Sequence, residues 1–363
     1  MPGLTVLCGG GGVGKTTTAA ALGMALARAG SRTLIVTVDP ARRLADAMGV
    51  AVGPTACQVS LDPSVAGRLW ARMPDVRTLA DDFIGWLLDD EAACERVRAN
   101  LAYRELADAI VGTHELLTLT LVELDLEGGH YDHVVLDTAP SRHAIEFLTA
   151  PRRLLDVLEM RALRWVAALA SVRPRGSGGD GPGAVARWSR GRVEALLSRV
   201  VGHEGLVSVA SLLGEVVHVR KRWADVVRAA YKRLLGGGAR FVLVGAPTGA
   251  AIDDIRYICA LLGDFDRRPT AFVLNRADRG PPPAIAAVLD RLREPGAPLG
   301  RALVRLREEY EARASVAARA EAILSREHAR APVLRLPAIA AREPVDIVRA
   351  LSGPLEELVP LVR

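Results

Sequence analysis

"LTVLCGGGGVGKTTTAAALGMALARAG", Leu4 to Gly30, decides how the rest of this chain is read. A short apolar run is followed by glycines, a lysine and three threonines, and then by an alanine-rich stretch of helical length that Gly30 can stop. Gly9-x-x-x-x-Gly14-Lys15-Thr16 fits the phosphate-loop pattern, in the strand-before, helix-after context that the pattern requires. Gly9, Gly10, Gly11, Gly12, Val13 and Gly14 let backbone amides turn inward around phosphates, and the helix N-terminus adds its dipole. Lys15 is expected to neutralise the β- and γ-phosphates, Thr16 to ligate magnesium, and Thr17 to complete the binding turn.

Only three of the 47 basic residues are lysine, so one of the few stands where a phosphate loop requires a compact point charge. The chain is otherwise arginine-rich throughout. Its net charge of +5 reads as compositional bias, and no nucleic-acid partner is expected. With 363 residues, half of them hydrophobic and 4% aromatic, a sizeable aliphatic core is expected. No apolar run reaches the eighteen residues of a membrane span, and the strand-like opening "LTVLC" leads to the expectation of no secretory signal. Cys8, Cys57, Cys94 and Cys259 form no CxxC pair, which suits a reducing cytoplasm. Cys57, Cys94 and Cys259 could hold a metalloid only if folding brought them together; as small core residues they need no such role.

Further short apolar runs, "RTLIVTVD", "HVVLD", "RFVLVGA", "RPTAFVLN" and "APVLRLP", separated by helical stretches, predict an α/β fold: a phosphate-loop domain with a mostly parallel, doubly wound sheet. The nucleotide core is assigned to about 1–50, 128–150 and 236–363, with an inserted α-helical subdomain at about 60–127 and 151–235. "RPRGSGGDGPG" (173–183) has turn chemistry, and apolar residues at Val219, Trp223, Val226 and Ala230 mark a packed helix. The C-terminal "PVDIVRALSGPLEELVPLVR" carries acids among its charges and reads as a core-packing helix, not a membrane anchor.

Asp39 and Asp137 close two strand-like runs, and carboxylates at strand C-termini are where such a sheet places its ligand. One can hold the metal shell, directly or through water, and the other can orient an attacking water. Each is followed by a proline-containing turn of the kind that senses a γ-phosphate.

"GGGGVGKTT", "TVDPARRLADAMG", "VVLDTAPSRHAIEFL", "FVLVGAPTGAAIDDIRYICALL" and "FVLNRA", in this order from residue 4 to about 280, resemble the ArsA-type ATPases, a group that includes arsenite-pump and tail-anchored-protein-targeting ATPases. "NLAYRELADAIVGTHELLTLTLVEL" resembles single-unit bacterial members, notably actinobacterial ones. The resemblance implies a cytoplasmic enzyme that hydrolyses ATP with Mg2+ and works as a dimer coupled to a protein client. By the same resemblance Asp39 orients water, Asp137 is the second switch aspartate, and Asn275 binds adenine. Members usually carry a lysine where this chain has Gly10, a lysine that reaches into the partner's phosphates. Three explanations stand: slow hydrolysis without it, a cation from a related ATPase in a heterodimer, or substitution by Arg142, whose plain alternative is a solvated surface charge. Two rival functions follow, a weakly hydrolysing nucleotide-binding subunit beside an active paralogue and a positioning ATPase like MinD or ParA.

Overall fold

The computed structural model describes residues 2–39, 43–63, 65–88, 90–100, 103, 113–138, 148, 149, 151, 152, 155, 219, 221–282, 285–288 and 298–363. Their elements run β1 (Gly3–Gly9), α1 (Lys15–Arg28), β2 (Arg32–Thr37), α2 (Arg43–Met48), β3 (Cys57–Val59), β4 (Arg68–Arg72), α3 (Val76–Leu87), α4 (Glu91–Ala99), α5 (Thr113–Glu127) and β5 (His133–Asp137). After a helical run over 221–235 come β6 (Ala239–Gly245), α6 (Gly249–Asp264), β7 (Ala271–Leu274), α7 (Pro298–Glu327), β8 (Val333–Arg335) and α8 (Pro344–Leu355), with a last helical turn, α9, at Val359–Val362. The chain divides into two compact units, Met1–Pro74 with Leu124–Leu148 and Lys232–Arg363, and Asp75–Glu123 with Thr149–Tyr231.

The first unit is built on one eight-stranded sheet in the order β3-β4-β2-β5-β1-β6-β7-β8. Every neighbouring pair is parallel except β3 with β4. The central strands are apolar runs because both of their faces are covered: Leu4, Val6, Leu34, Ile35, Val134, Val242 and Phe272 are wholly buried. β4 falls inside the stretch from residue 60 that the sequence reading assigned to a helical subdomain. Its run "RLWAR" buries only alternate residues, so it lacks the continuous apolar signal of its neighbours. Arg72 at its end donates to the Pro54 carbonyl (2.6 Å) and pairs with Asp125 (3.5 Å).

Eleven of the fourteen residues of α1 are buried, so this helix is enclosed on most sides rather than laid on a surface. Gly23 allows that closeness, since a Cβ there would meet Ile35 Cδ1 at 2.6 Å. The C-terminal stretch covers α1 from outside. Val348, Leu351, Leu355, Leu358, Val359 and Val362 are buried, each worth about 1.5–3 kcal/mol of burial. Polar clamps join the same parts: Arg28 donates to Ser352 (2.6 Å), and Arg363 reaches Ser31 (2.8 Å) and the Ala29 carbonyl (2.8 Å). The core-packing reading of 344–363 therefore holds.

The second unit is helical where it is described. Asp75 caps α3 by accepting from the Thr78 amide (2.9 Å), and Asp90 caps α4 by accepting from Ala92 (3.1 Å). Phe83 stacks on Trp86 and tilts against Trp223, while the Arg222 guanidinium lies 4.6 Å over the Trp86 ring. Cys94 is buried with Ile84, Leu88 and Val97. The turn-rich 173–183 segment lies outside the described residues.

Candidate nucleotide site

The loop begins where β1 runs out. Gly9 pairs with Val244 of β6, and a Cβ on it would run into the Val244 carbonyl, so the strand can turn into the loop there only as glycine. Gly12 (φ 71°) and Gly14 (φ 93°) take the left-handed conformations that the turn needs. Gly11 and Gly12 are exposed, with open space around their Cα atoms, whereas Val13 is buried and anchors the loop to the core.

Gly14 serves a second purpose. A Cβ there would strike the side-chain amide of Asn275. That amide donates to the Val13 carbonyl (2.9 Å), and its oxygen accepts from the Arg276 amide (3.0 Å). Asn275 follows β7, so the third strand along from β5 braces the loop from behind.

Lys15 opens α1 and is 8% exposed. Its ammonium donates to the carbonyls of Gly10 (2.7 Å) and Gly9 (3.1 Å), inside the loop's own curve. Burial pulls its pKa down, and the Asp137, Cys8 and Asp39 charges resist that pull. Cys8 beneath it is buried, which pushes its thiol up to about 11 against a hydrogen bond with Thr138.

Strand register assembles the carboxylate end. Asp137 lies level with Leu7 on β1 and with Thr37 on β2. Its Oδ2 accepts from Thr16 (2.7 Å) and Thr37 (2.9 Å), bonds to a charged group worth about 1.5–3 kcal/mol each. Burial pushes its pKa up to about 6; those two donors and Lys15 oppose the rise, and Asp39 adds to it. Its Oδ1 is buried and has no hydrogen-bond partner among the described residues. An orphaned carboxylate oxygen beside the Thr16 hydroxyl fits a divalent cation or its water shell.

Asp39, two residues beyond β2, hangs its amide on the Thr37 hydroxyl (3.3 Å), and its carboxylate accepts from Arg43 (3.1 Å). A cleft of about 310 Å3 opens here, lined by Gly12, Lys15, Thr16, Thr17, Asp39 and Thr138, with Arg43 and Arg276 at its border. That volume lies at the lower end of the range for small-molecule sites.

The structure thus gathers Gly9 to Thr17, Asp39 and Asp137 at one edge of the sheet, with Asn275 behind the loop. Arg142 lies outside the described residues. Thr37, Arg43, Thr138 and Arg276 were not singled out from sequence; only the register that levels Thr37 with Asp137 reveals the first of them. Asp254 was also missed. A Cβ on Gly10 would collide with its carboxylate, the end of a side chain on α6, so a residue at position 10 requires that carboxylate to swing aside.

Residues 4–175, just under half of the chain, match the family described as anion-transporting ATPase, ArsA_ATPase. Among curated proteins the chain is similar to the ATPase GET3 of Eremothecium gossypii, 33% identical over 168 residues that cover 42% of this chain and 45% of that one. It is also similar to ATPase get3 of Neurospora crassa (31% identical over 163 residues, 45% of each) and of Schizosaccharomyces pombe (28% over 159 residues, 41% and 44%). The chain spans about half the length of the curated relatives it matches.

Proposed function

From the premise that residues 4–175 belong to the ArsA-type ATPase family, we propose that this chain hydrolyses ATP at the loop edge of its sheet. The observation that carries the reading is Asp137, buried with one oxygen held by Thr16 and Thr37 and the other left without a partner, beside the buried Lys15 ammonium. An alternating arrangement of enclosed opposite charges is costly to build and is repaid when a phosphate and its counter-ion enter.

In this reading a water attacks the γ-phosphorus, the bond to the β,γ-bridging oxygen breaks, and ADP and inorganic phosphate leave. Asp39 orients the water, which requires it to release Arg43; that exposed pair is worth about 0.2–1 kcal/mol and yields easily. Lys15, the loop amides and the N-terminus of α1 stabilise the charge that develops on the phosphate oxygens. Magnesium, when bound, would neutralise β- and γ-phosphate charge; Thr16 and Asp137, the latter through water, are the residues to hold it. Asn275 acts first as the brace of the loop, and contact with adenine would require its amide to leave Val13.

The same reading makes the hydrolytic cycle a switch: ATP favours a closed dimer, hydrolysis releases it, and the helical unit carries the change to a protein client. Phosphate release from MgATP by the purified protein, with light scattering on the same samples and Asp39→Asn as control, tests this. Turnover that disappears in the control and a dimer that needs ATP are expected. Bound but unhydrolysed ATP on a monomer would overturn the stand-alone enzyme.

That outcome would favour the second reading, a nucleotide-binding subunit beside an active relative. Gly10 and Asp254 support it, because the loop rim carries a carboxylate where a cation is usual in the family. The positioning-ATPase reading loses its candidate anchor, since 344–363 is packed on α1.

A further inference from the structure

Strands β7 and β8 are entered at the sheet edge opposite the phosphate loop. The loop follows the C-terminal end of β1, whereas residues 265–269 and 328–332 lead into the N-terminal ends of β7 and β8. With about 3.3 Å per strand residue, the two edges stand roughly 20 Å apart. At this far edge a second cavity of about 550 Å3 opens between the end of α6 and the end of α7.

Four guanidinium groups line it: Arg267, Arg268, Arg326 and Arg330. Arg267 is half-buried; one of its terminal nitrogens donates to the Ala239 carbonyl (3.0 Å), and its Nε is buried without an acceptor. Arg268, Arg326 and Arg330 are exposed and have no hydrogen-bond or ion-pair partner among the described residues. The carboxylates present do not balance them. Glu327 is taken by Arg256, which grips it with two nitrogens (2.6 and 3.0 Å), leaving Asp266 alone against four positive charges.

The negative ends of α6 and α7 meet here too; that of α7 accounts for Arg326, which lies in its last turn, and any anion bound here must overcome both ends. Arg267, Arg268 and Arg330 stand past those ends, where the helix field has faded, and like charges collected without counter-charges cost free energy. The floor is less polar, formed by Cys259, Pro269 and Ala331. Planar guanidinium forks match phosphate oxygens in pairs, and the volume exceeds what a bare phosphate needs.

We propose that this cavity binds a small molecule carrying a di- or polyphosphate group, at a site separate from the phosphate loop. The guanidinium groups take the phosphates, and an organic group attached to them rests on the floor. The site needs neither hydrolysis nor the loop, so it stands or falls independently of the ATPase reading.

Calorimetric titration of the whole chain with inorganic pyrophosphate, without magnesium and at about 0.15 M salt, is the test, and Lys15→Ala separates the two sites. Pyrophosphate binding should survive Lys15→Ala and weaken at least tenfold when Arg268→Gln and Arg330→Gln are added. The latter two residues are exposed and should leave the melting temperature unchanged. If Lys15→Ala removes all binding, or the arginine changes leave the isotherm as it was, the proposal fails. It also fails if sulfate binds equally well, since the cavity then takes an adventitious ion only.

ADP added to the Lys15→Ala protein distinguishes the ligand's parts. Tighter binding than pyrophosphate places an organic group on the floor, and equal binding means that the diphosphate alone is recognised. Should Lys15→Ala not fold, Cys259 provides a second readout in the unaltered chain. Burial pushes its thiol up to about 12, so it alkylates slowly, and pyrophosphate should slow it at least threefold further while Cys57 is unaffected. Equal rates with and without pyrophosphate would overturn the proposal.

Discussion

Two edges of one sheet collect positive charge in opposite ways. At the loop edge the Lys15 ammonium is enclosed by the carbonyls of Gly9 and Gly10, with the Asp137 and Asp39 carboxylates close enough to act on it. At the far edge four arginines surround a cavity that has one uncommitted carboxylate. The first arrangement is strong because it is dry: removing one partner leaves a buried charge unpaired. The second is weak in the absence of a ligand because water screens it, and it gains strength only when an anion displaces that water. Burial, and not the number of charges, therefore sets how much each edge contributes.

The largest expected effect tests whether the loop edge does chemistry. Asp39→Asn should lower phosphate release from MgATP at least a thousandfold, about 4 kcal/mol of barrier, while leaving the melting temperature within a few degrees, because the change keeps the side chain's size and the Arg43 pair that it weakens is exposed. A variant that retains a tenth of the activity would remove Asp39 from the mechanism.

Next comes the pH dependence of the nucleotide-free protein. His133, buried and bonded to Thr5 (2.8 Å), is pulled down from 6.5 to about 4, so the unfolded chain takes up a proton there that the folded chain refuses. Stability from this residue is lost as pH falls from 6.5 to 4. Asp137 has the opposite sign. Raised to about 6 from 3.8, it is protonated in the folded chain before the unfolded one, so it adds stability as pH falls through 6. The two nearly cancel between pH 4 and 6. Asp137→Asn should leave only the raised Asp125 carboxyl, held up by burial, to oppose the histidine, and urea midpoints should then fall between pH 6.5 and 4 by an amount equivalent to at most about 3 kcal/mol. A flat profile in the variant would mean that His133 is not buried neutral.

A smaller effect sharpens the account of the loop's rigidity. Gly14→Ala should cost about 2 kcal/mol, from a left-handed backbone and from collision with Asn275. Asn275→Ala should cost about 1 kcal/mol by loss of the bond to Val13. The double variant should cost less than the sum, because removing the amide removes the collision. Strict additivity in denaturant unfolding would show that the two do not touch.

Smallest of all, Gly10→Lys should change turnover less than threefold by itself, since Asp254 stands at that position and would pair with the new ammonium. Adding Asp254→Ala should enlarge the change. Equal rates in both variants would mean that Asp254 does not govern the position.

These residues also show what the sequence could reveal. Gly9 to Thr17 was legible because a phosphate loop is written in consecutive residues, and Asp137 because it ends an uninterrupted apolar strand. Thr37, Asp254 and the bracing role of Asn275 were not, because each depends on which strands are neighbours and in what register. β4 escaped for a related reason: a half-buried strand with arginines at both ends carries no continuous apolar run. The far cavity is the extreme case, since its arginines come from two chain segments about sixty residues apart in a chain where arginine is common everywhere.

The packing of 344–363 over α1 has a consequence for biosynthesis. The helix that follows the phosphate loop has its outer side covered by residues made more than three hundred positions later. At about 5–20 residues per second, that interval lasts roughly 15–65 s, during which the apolar side of α1 has nothing of its own chain to rest on. The cover of the helix beside the loop is therefore complete only once residues 344–363 have been made.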